Sequence, residues 1–432
     1  MTDTAIIGIV VMLTLMFLGM NVGLSMALVG FVGYWSVINF RAALGVLQTS
    51  PATQAATYSL TVIPLFVMMG NFAFASGMSR GLYNAANKWL NRLPGGLSCA
   101  TMVACAAFGA ICGSTAATAA TMGTVAIPEM RKYGYDDRLS TGSVSVGGTL
   151  GIIIPPSAPL IVYGILAEQS IGRLFAAGIV PGVILTVFLC LTVVVQVKLN
   201  PALAPEGQHF TWKERFASLK DLFWMVVLFA GVFYSMFSGI FTINEAAAGG
   251  AFLAMLIALF TGTLSFKTFM AVMKDTVKTT SMTYLLLIGA VIFGNFLAIT
   301  RLPMTMANTI ASLAVSRYLI FAFVVVIYLI LGCLMDALPM IMLTVPIFLP
   351  IILKLGFDPI WFGVMIIFVM QLGLITPPVG MNCYVISGIA RDVPLQTIFR
   401  GSAPFIIPLL LAIAVCTAFP ILATWLPTVF YG

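Results

Sequence analysis

Two proline pairs interrupt long apolar runs of the chain, in residues 151–159 (GIIIPPSAP) and in residues 373–380 (GLITPPVG). Proline removes a backbone hydrogen-bond donor and clashes with the preceding turn, so each pair predicts a break in a helix. Inside a membrane, irregular backbone is tolerated only where it is buried in protein or lines a wet cavity. We therefore expect two broken helices, over residues 140–168 and 359–389, that border a cavity.

The composition places the chain in a membrane. Of its 432 residues, 61% are hydrophobic and 8% are charged, and the mean hydropathy is strongly positive. These values lie far outside the range of a soluble domain. The sequence therefore predicts an all-α polytopic membrane protein in contact with the lipid bilayer.

The residue types exclude several functional classes. The basic residues are scattered singly at the ends of apolar segments, which is typical of membrane topology and not of a nucleic-acid partner. The seven cysteines show no CxxC spacing and His209 is the only histidine, so neither a zinc site nor a catalytic triad is expected. An intramembrane aspartyl protease needs two membrane aspartates, and only Asp336 qualifies. We expect neither enzymatic activity nor a bound cofactor.

Apolar segments of about 20 residues mark the expected membrane crossings. They lie at residues 4–20, 22–39, 60–78, 140–168 and 173–198 in the first half, and at 221–239, 245–263, 281–300, 359–389 and 403–427 in the second. Residues 96–130 and 318–353 are too long for one helix and carry a small or polar knot at the centre, ICGSTA and GCLMDA. These two segments are predicted to be re-entrant hairpins, which enter and leave the membrane on the same side.

The two halves of the sequence are related. The motif MMGNFAF (68–74) recurs as IFGNFLA (292–298), and KYGYD (132–136) recurs as KLGFD (354–358), at an offset of 222 to 224 residues. Five crossings and one hairpin per half place the second copy upside down in the membrane. Residues 1–198 and 221–432 are therefore predicted to be inverted repeats, joined by a linker over 199–220; such repeats are typical of secondary transporters.

Loop charges predict the orientation. If the chain starts outside, fifteen of its twenty basic residues lie in inside loops, as the positive-inside rule requires. Both termini are then on the outer face and the linker is cytoplasmic. Its apolar residues Trp212, Phe216 and Leu219 predict a short helix that lies on the membrane.

The hairpin tips carry the polar residues expected to do the chemistry. Ser114 lies 41 residues before Pro155 and Asp336 lies 41 residues before Pro377, so the two tips are equivalent. A membrane carboxylate costs at least a few kcal/mol unless it is paired, and no basic residue lies near Asp336 in sequence, so a cation is its natural partner. A broken helix also exposes carbonyls that suit sodium, and amide groups that suit an anion.

These arguments give a set of candidate ligands. The expected sodium ligands are Gly113, Ser114, Gly151, Pro155, Gly332, Asp336, Gly373 and Thr376. The expected substrate contacts are Ser114, Thr115, Ser157 and Asn382. Two simpler alternatives stay open: the first tip is only a close-packed turn, and Asp336 only caps the helix that follows it.

Three stretches of the sequence resemble a known family. FGAICGSTAATAATMGTVAIPEMRKYGYD (108–136), GTLGIIIPPSAPLIVYG (148–164) and GLITPPVGMNCYV (373–385) are similar to the large membrane subunit of tripartite ATP-independent periplasmic (TRAP) transporters, and the resemblance covers essentially the whole chain. It implies an elevator-type architecture and sodium as the coupling ion.

The resemblance also implies partners and a location. It implies a small four-helix membrane subunit and a periplasmic substrate-binding protein that captures an organic acid such as sialic acid or a dicarboxylate. Because residue 1 leads directly into the first repeat, the small subunit is expected to be a separate chain. The expected site of action is the bacterial inner membrane, with both termini periplasmic. The alternative is a stand-alone sodium/dicarboxylate symporter of related architecture.

Overall fold

The computed structural model describes residues 2–312 and 315–432, and within these ranges the regular structure is entirely helical. The helices before residue 200 are α1 (Thr2–Phe17), α2 (Val22–Val37), α3 (Phe40–Ala56), α4 (Val62–Ala75), α5 (Met78–Leu90), α6 (Gly96–Cys112), α7 (Thr115–Lys132), α8 (Asp137–Thr149), α9 (Ala158–Leu166) and α10 (Ile171–Leu199). Helix α11 (Trp212–Ser218) lies in the linker.

The helices of the second half follow the linker. They are α12 (Phe223–Phe237), α13 (Ile243–Phe260), α14 (Phe266–Thr300), α15 (Leu302–Ser312), α16 (Arg317–Gly332), α17 (Ala337–Lys354), α18 (Pro359–Ile375), α19 (Met381–Ile389), α20 (Leu395–Ser402), α21 (Ile406–Ala418) and α22 (Ile421–Tyr431).

The exposed surface of many helices is apolar, as expected for contact with lipid. In the described parts of the chain, seven helical segments are long and apolar enough to cross a bilayer, and shorter apolar helices accompany them. On α10, the side chains of Val183, Val187, Leu191 and Val195 recur every fourth residue and are each about half exposed. Such a stripe is unfavourable in water and stable against acyl chains. The protein is a multi-pass membrane protein.

Each predicted hairpin segment contains two helices joined by a tight turn. In the first, Gly113 follows the last residue of α6, and its φ of +62° is a left-handed conformation that glycine adopts without strain. Ser114 then caps α7 by accepting a hydrogen bond from the Ala117 N–H at 3.4 Å. In the second, Asp336 caps α17 by accepting from the Ala337 N–H at 2.8 Å. Both polar tip residues therefore start the returning helix.

Both proline pairs interrupt a helix, but their surroundings differ. The first break follows α8 and a short 3-10 turn (Leu150–Ile152), and there Pro155 and Pro156 are buried. The second break separates α18 from α19, and there Pro377 and Pro378 are exposed. Two segments that are equivalent in sequence thus occupy unequal environments.

Several helices of the first half pack against helices of the second half. Helix α2 packs along α14, and its counterpart α13 packs along α4; in the same way α9 packs against α17, and α19 packs against α7. Thr149 donates a hydrogen bond to Gln371 Oε1 at 3.2 Å, and these two residues are 222 positions apart in sequence. This bond joins the helix before the first break to the helix before the second.

Small residues permit the closest of these contacts. A Cβ atom added to Gly23 of α2 would lie 2.8 Å from the Leu285 carbonyl oxygen of α14. One added to Gly289 of α14 would lie 2.1 Å from the Gly23 carbonyl oxygen. The two backbones therefore touch, as they do in small-residue packing of membrane helices.

Helices α3, α5, α15 and α20 lie outside the segments predicted from the sequence, and α14 is longer than expected. The predicted crossing 281–300 is only the second half of α14, a helix of 35 residues. Its first half contains Lys267, Lys274 and Lys278, which lower the local hydropathy without disturbing the helix. At 1.5 Å per residue, α14 is roughly 50 Å long and exceeds the bilayer core.

The linker contains a short helix, α11, at the predicted position. Thr211 and Glu214 form a capping box at the start of α11, and the hydrogen bonds from Thr211 lower the pKa of the Glu214 carboxyl. Trp212 and Phe216 remain 60% and 58% exposed. Trp89 of α5 contacts both rings and donates from Nε1 to the Arg215 carbonyl oxygen at 3.2 Å. The linker is thereby fastened to α5.

Candidate functional site

A cavity of about 250 Å³ lies between the tips of the two hairpins. The α6–α7 turn and the α16–α17 turn both border it. Its other walls come from α4, from the middle of α14, and from Ile152 and Ala158 on either side of the first proline pair. The space suits a small solute, and both halves of the chain supply it.

The first hairpin tip offers hydroxyl groups to this cavity. Gly113, Ser114 and Thr115 line it. The Ser114 hydroxyl oxygen accepts the capping bond described above, which leaves its proton available to a ligand oxygen. The Ser114 carbonyl oxygen accepts a hydrogen bond from the Thr118 hydroxyl at 2.7 Å, and this bond fixes the turn.

The second tip offers a carboxylate. Asp336 lines the cavity and is half buried, and one of its oxygens accepts from the Ala337 N–H. Within the described residues Asp336 forms no ion pair, and no lysine or arginine lines this cavity. The second carboxylate oxygen is therefore free to bind a cation from the cavity.

Polar residues of α4 and α14 complete the walls. Asn71 donates from Nδ2 to the Thr276 hydroxyl at 3.0 Å and so links α4 to α14. Thr279 and Thr283 line the same cavity one and two turns further along α14. Sequence analysis missed Asn71, Thr279 and Thr283. The signal for Asn71 was an amide inside the repeated apolar motif MMGNFAF.

Three predicted ligands are glycines at backbone contacts, outside the cavity lining. A Cβ on Gly373 would lie 2.5 Å from the backbone of Gly332, and one on Gly109 would lie 2.4 Å from the Cα of Gly151. In each half, the first helix of the hairpin thus touches the helix that precedes the break. Each of these two contacts holds the backbone of a hairpin against the backbone beside a break. A side chain on any of the four glycines would push the two segments apart.

Other predicted ligands have their polar groups committed elsewhere. Pro155 and Ser157 are buried, and the Ser157 hydroxyl donates to the Ile152 carbonyl oxygen at 2.6 Å across the break. Thr376 donates to the Leu372 carbonyl oxygen at 2.6 Å. Asn382 is fully buried and donates from Nδ2 to the Ser145 carbonyl oxygen at 3.0 Å; its Oδ1 has no partner in the described part of the chain. None of the four lines the cavity.

The fold and the cavity define a multi-pass membrane protein with a solute-sized site between two helical hairpins. Comparison with solved structures agrees with this fold. The YdaH transporter of Alcanivorax borkumensis is similar with a TM-score of 0.65 over 90% of each chain, at 15% sequence identity. This likeness concerns the fold alone.

Sequence comparison places the chain in a family. The family model for the DctM component of tripartite ATP-independent periplasmic transporters matches residues 9–422, and the chain belongs to this family. It is 34% identical to the C4-dicarboxylate TRAP transporter large permease protein DctM of Pseudomonas aeruginosa, over 86% of each chain. It is 30% identical to the sialic acid TRAP transporter large permease protein SiaM of Vibrio cholerae, over 97% of each chain. The protein is a transporter permease subunit and not an enzyme.

Proposed function

We propose that this chain is the large permease of a sodium-coupled importer that carries an organic acid anion across the bacterial inner membrane. The observation that carries the proposal is the Asp336 carboxylate, which faces a cavity without a basic side chain. At about 4 Å, two negative charges repel by roughly 4 kcal/mol at the effective dielectric near a protein surface. A cation bound beside Asp336 would remove this repulsion and favour entry of the anion.

Sodium meets this requirement. Oxygen ligands suit a hard cation, and one bound between Asp336 and the substrate carboxylate would turn repulsion into attraction. The Ser114 and Thr115 hydroxyls would then donate hydrogen bonds to the substrate from the opposite tip. Coupling follows from this geometry because neither ion binds well alone.

The same proposal assigns backbone carbonyls to the ion sites. The glycine contacts at Gly109 with Gly151, and at Gly332 with Gly373, hold each hairpin beside its break. Carbonyl groups near these contacts would join Asp336 and Ser114 as sodium ligands. Backbone carbonyls of interrupted helices coordinate the coupling ion in other secondary transporters.

We further propose that residues 1–198 and 221–432 are inverted repeats and that the hairpins and broken helices move together as an elevator. Two observations support a common moving body. Helix α9 packs against α17 and α19 against α7, so each hairpin is joined to the break of the other half. Arg131 at the end of α7 also bonds Asp137 at 2.6 Å and Asp392 at 2.7 Å, which ties the first hairpin to the loop after α19.

The partners follow from family membership. A small four-helix membrane subunit would complete the scaffold, and a periplasmic binding protein would deliver the substrate. The names of two relatives differ in substrate, C4-dicarboxylate in one and sialic acid in the other. We therefore assign the substrate to the organic acids as a class.

Reconstitution tests this function. Liposomes that contain this chain and the small membrane subunit should accumulate the acid only when the binding protein and an inward sodium gradient are both present. Omission of any one component should reduce the initial rate to that of empty liposomes. Sodium-driven uptake by this chain alone would instead establish the stand-alone sodium/dicarboxylate symporter.

Cysteine labelling tests the proposed orientation, in which both termini are periplasmic. Lys88→Cys should react with a membrane-impermeant maleimide from the cytoplasmic side, and Arg301→Cys should react from the periplasmic side. The unmodified protein is the control, because its seven cysteines are buried or half buried. The opposite pattern would invert the topology.

A further inference from the structure

The cavity between the two hairpin tips, which we name the tip cavity, has walls of unequal chemistry. Its apolar lining includes Ile63 and Val67 of α4 and Met282 and Leu286 of α14. In each pair the two residues are four positions apart, so they share one face of their helix and form an apolar strip. Such strips favour contact with the hydrocarbon part of a solute and offer no hydrogen bond to a charged group.

The tip cavity is also poor in charge. Among the described residues that line it, Asp336 alone carries a charged side chain. In the proposed function, sodium joins Asp336 to a substrate carboxylate. A second carboxylate on the same molecule would find no basic side chain among these lining residues. Because a buried charge is stable only when it is paired, the lining accommodates one carboxylate and not two.

The volume of the tip cavity limits the size of the solute. It is about 250 Å³, which is below the roughly 300 to 1,000 Å³ of pockets for drug-sized ligands. An acid with a short carbon chain fits this space. A sugar acid such as sialic acid has the size of a drug molecule and does not.

Two neutral polar side chains lie within one helical turn of the apolar strips. They are Asn71 on α4 and Thr279 on α14, and both line the tip cavity. Asn71 donates to the Thr276 hydroxyl at 3.0 Å. Thr279 is exposed, and its backbone carbonyl oxygen accepts from the Thr283 hydroxyl at 3.0 Å, which leaves the Thr279 hydroxyl available. A hydroxyl group donates and accepts, so it can bind a hydroxyl or an oxo group of a solute.

We propose that the substrate is a short-chain monocarboxylate with a hydroxyl or oxo group, and that Thr279 binds this neutral group. The proposal rests on the proposed function, in which sodium and the hairpin tips hold the carboxylate. The apolar strips contact the carbon chain. Dicarboxylates are rejected by charge, and sugar acids are rejected by size.

Protection of Cys112 from alkylation tests the substrate class without reference to transport. Cys112 is half buried and lines the tip cavity, so a bound acid should shield its thiol from iodoacetamide. In the permease with its small subunit and sodium, β-hydroxybutyrate should protect at a concentration at least about tenfold lower than malate, whose second carboxylate replaces the methyl group and stays unpaired. The pair α-ketovalerate and α-ketoglutarate should behave in the same way.

Mass spectrometry of the two peptides that contain Cys112 and Cys190 gives the alkylation rates. Cys190 is the matched control, because it is also half buried but lies outside the tip cavity, and its rate should not respond to any acid. Equal or better protection of Cys112 by the dicarboxylates or by sialic acid would overturn the substrate class and leave the sodium-coupled importer standing. If no acid gives sodium-dependent protection, the tip cavity is not the binding site and both proposals fail.

Thr279→Val tests the contact with the neutral group. Valine keeps the shape of threonine and removes the hydroxyl, so the protecting concentration of β-hydroxybutyrate should rise by about 2- to 10-fold, the range of one hydrogen bond. That of butyrate, which lacks the hydroxyl, should stay unchanged. Thr280→Val is the matched control, because Thr280 is the next residue of α14 and does not line the tip cavity. An equal rise for both acids, or a rise for neither, would exclude Thr279 from substrate recognition.

Discussion

Asp336→Asn is expected to raise the sodium concentration for half-maximal uptake by at least about tenfold, while the protein folds normally. The asparagine oxygen can still accept the hydrogen bond from the Ala337 N–H, because asparagine is as good an N-cap as aspartate. What disappears is the negative charge, whose attraction for a cation at about 4 Å is worth roughly 4 kcal/mol at the effective dielectric near a protein surface. Sodium-dependent uptake and melting temperature, measured on the same preparation, separate the two effects.

Asp358→Asn provides the matched control. Asp358 caps α18 and accepts from the N–H groups of Ile360 at 2.7 Å and Trp361 at 2.9 Å, and it does not line the tip cavity. Its replacement should leave the sodium dependence unchanged. If the two variants have the same sodium dependence, Asp336 is only a helix cap and the proposed coupling loses its main support.

Gly373→Ala is expected to abolish uptake. The new methyl group would lie 2.5 Å from the Cα and carbonyl carbon of Gly332, and backbone atoms cannot move aside as the end of a flexible side chain can. The second hairpin must then shift away from its break, at a cost of about 1 to 3 kcal/mol or more. The melting temperature should fall, and the ion site built from these two backbones should open.

Gly388→Ala is the control for the added methyl group. Gly388 lies in α19, and a Cβ there has no neighbour within 4 Å. Alanine should be neutral or slightly stabilising at that position, by about 0.5 to 1 kcal/mol. Comparable uptake by the two variants would show that the contact between Gly332 and Gly373 is not required for transport.

Much of the framework could be predicted because its signals are local. A tight turn with a capping residue marks each hairpin, and a proline pair marks each break, so Ser114 and Asp336 could be assigned to equivalent tips. In the structure both tips line one cavity. The short linker helix could be predicted for the same reason, from Trp212 and Phe216.

The remaining walls of the site could not be predicted because they come from helices of different halves that pack against each other. Asn71 and Thr283 come from helices that meet only in the folded chain, and local periodicity does not report which helices meet. The repeat also suggested that both breaks border the cavity. The structure is asymmetric, and only the first break does so, whereas Thr376 and Asn382 lie elsewhere.

The packing of α2 along α14 has a consequence for biogenesis. Helix α2 enters the bilayer early, but the helix whose backbone touches Gly23 begins at Phe266. At roughly 5 to 20 residues per second, the ribosome needs on the order of 10 to 50 seconds to make the intervening chain. During that interval the glycine face of α2 must be held by lipid or by an insertion chaperone. Assembly of this permease is therefore completed after synthesis of its second half, and a truncated first half leaves α2 without its partner.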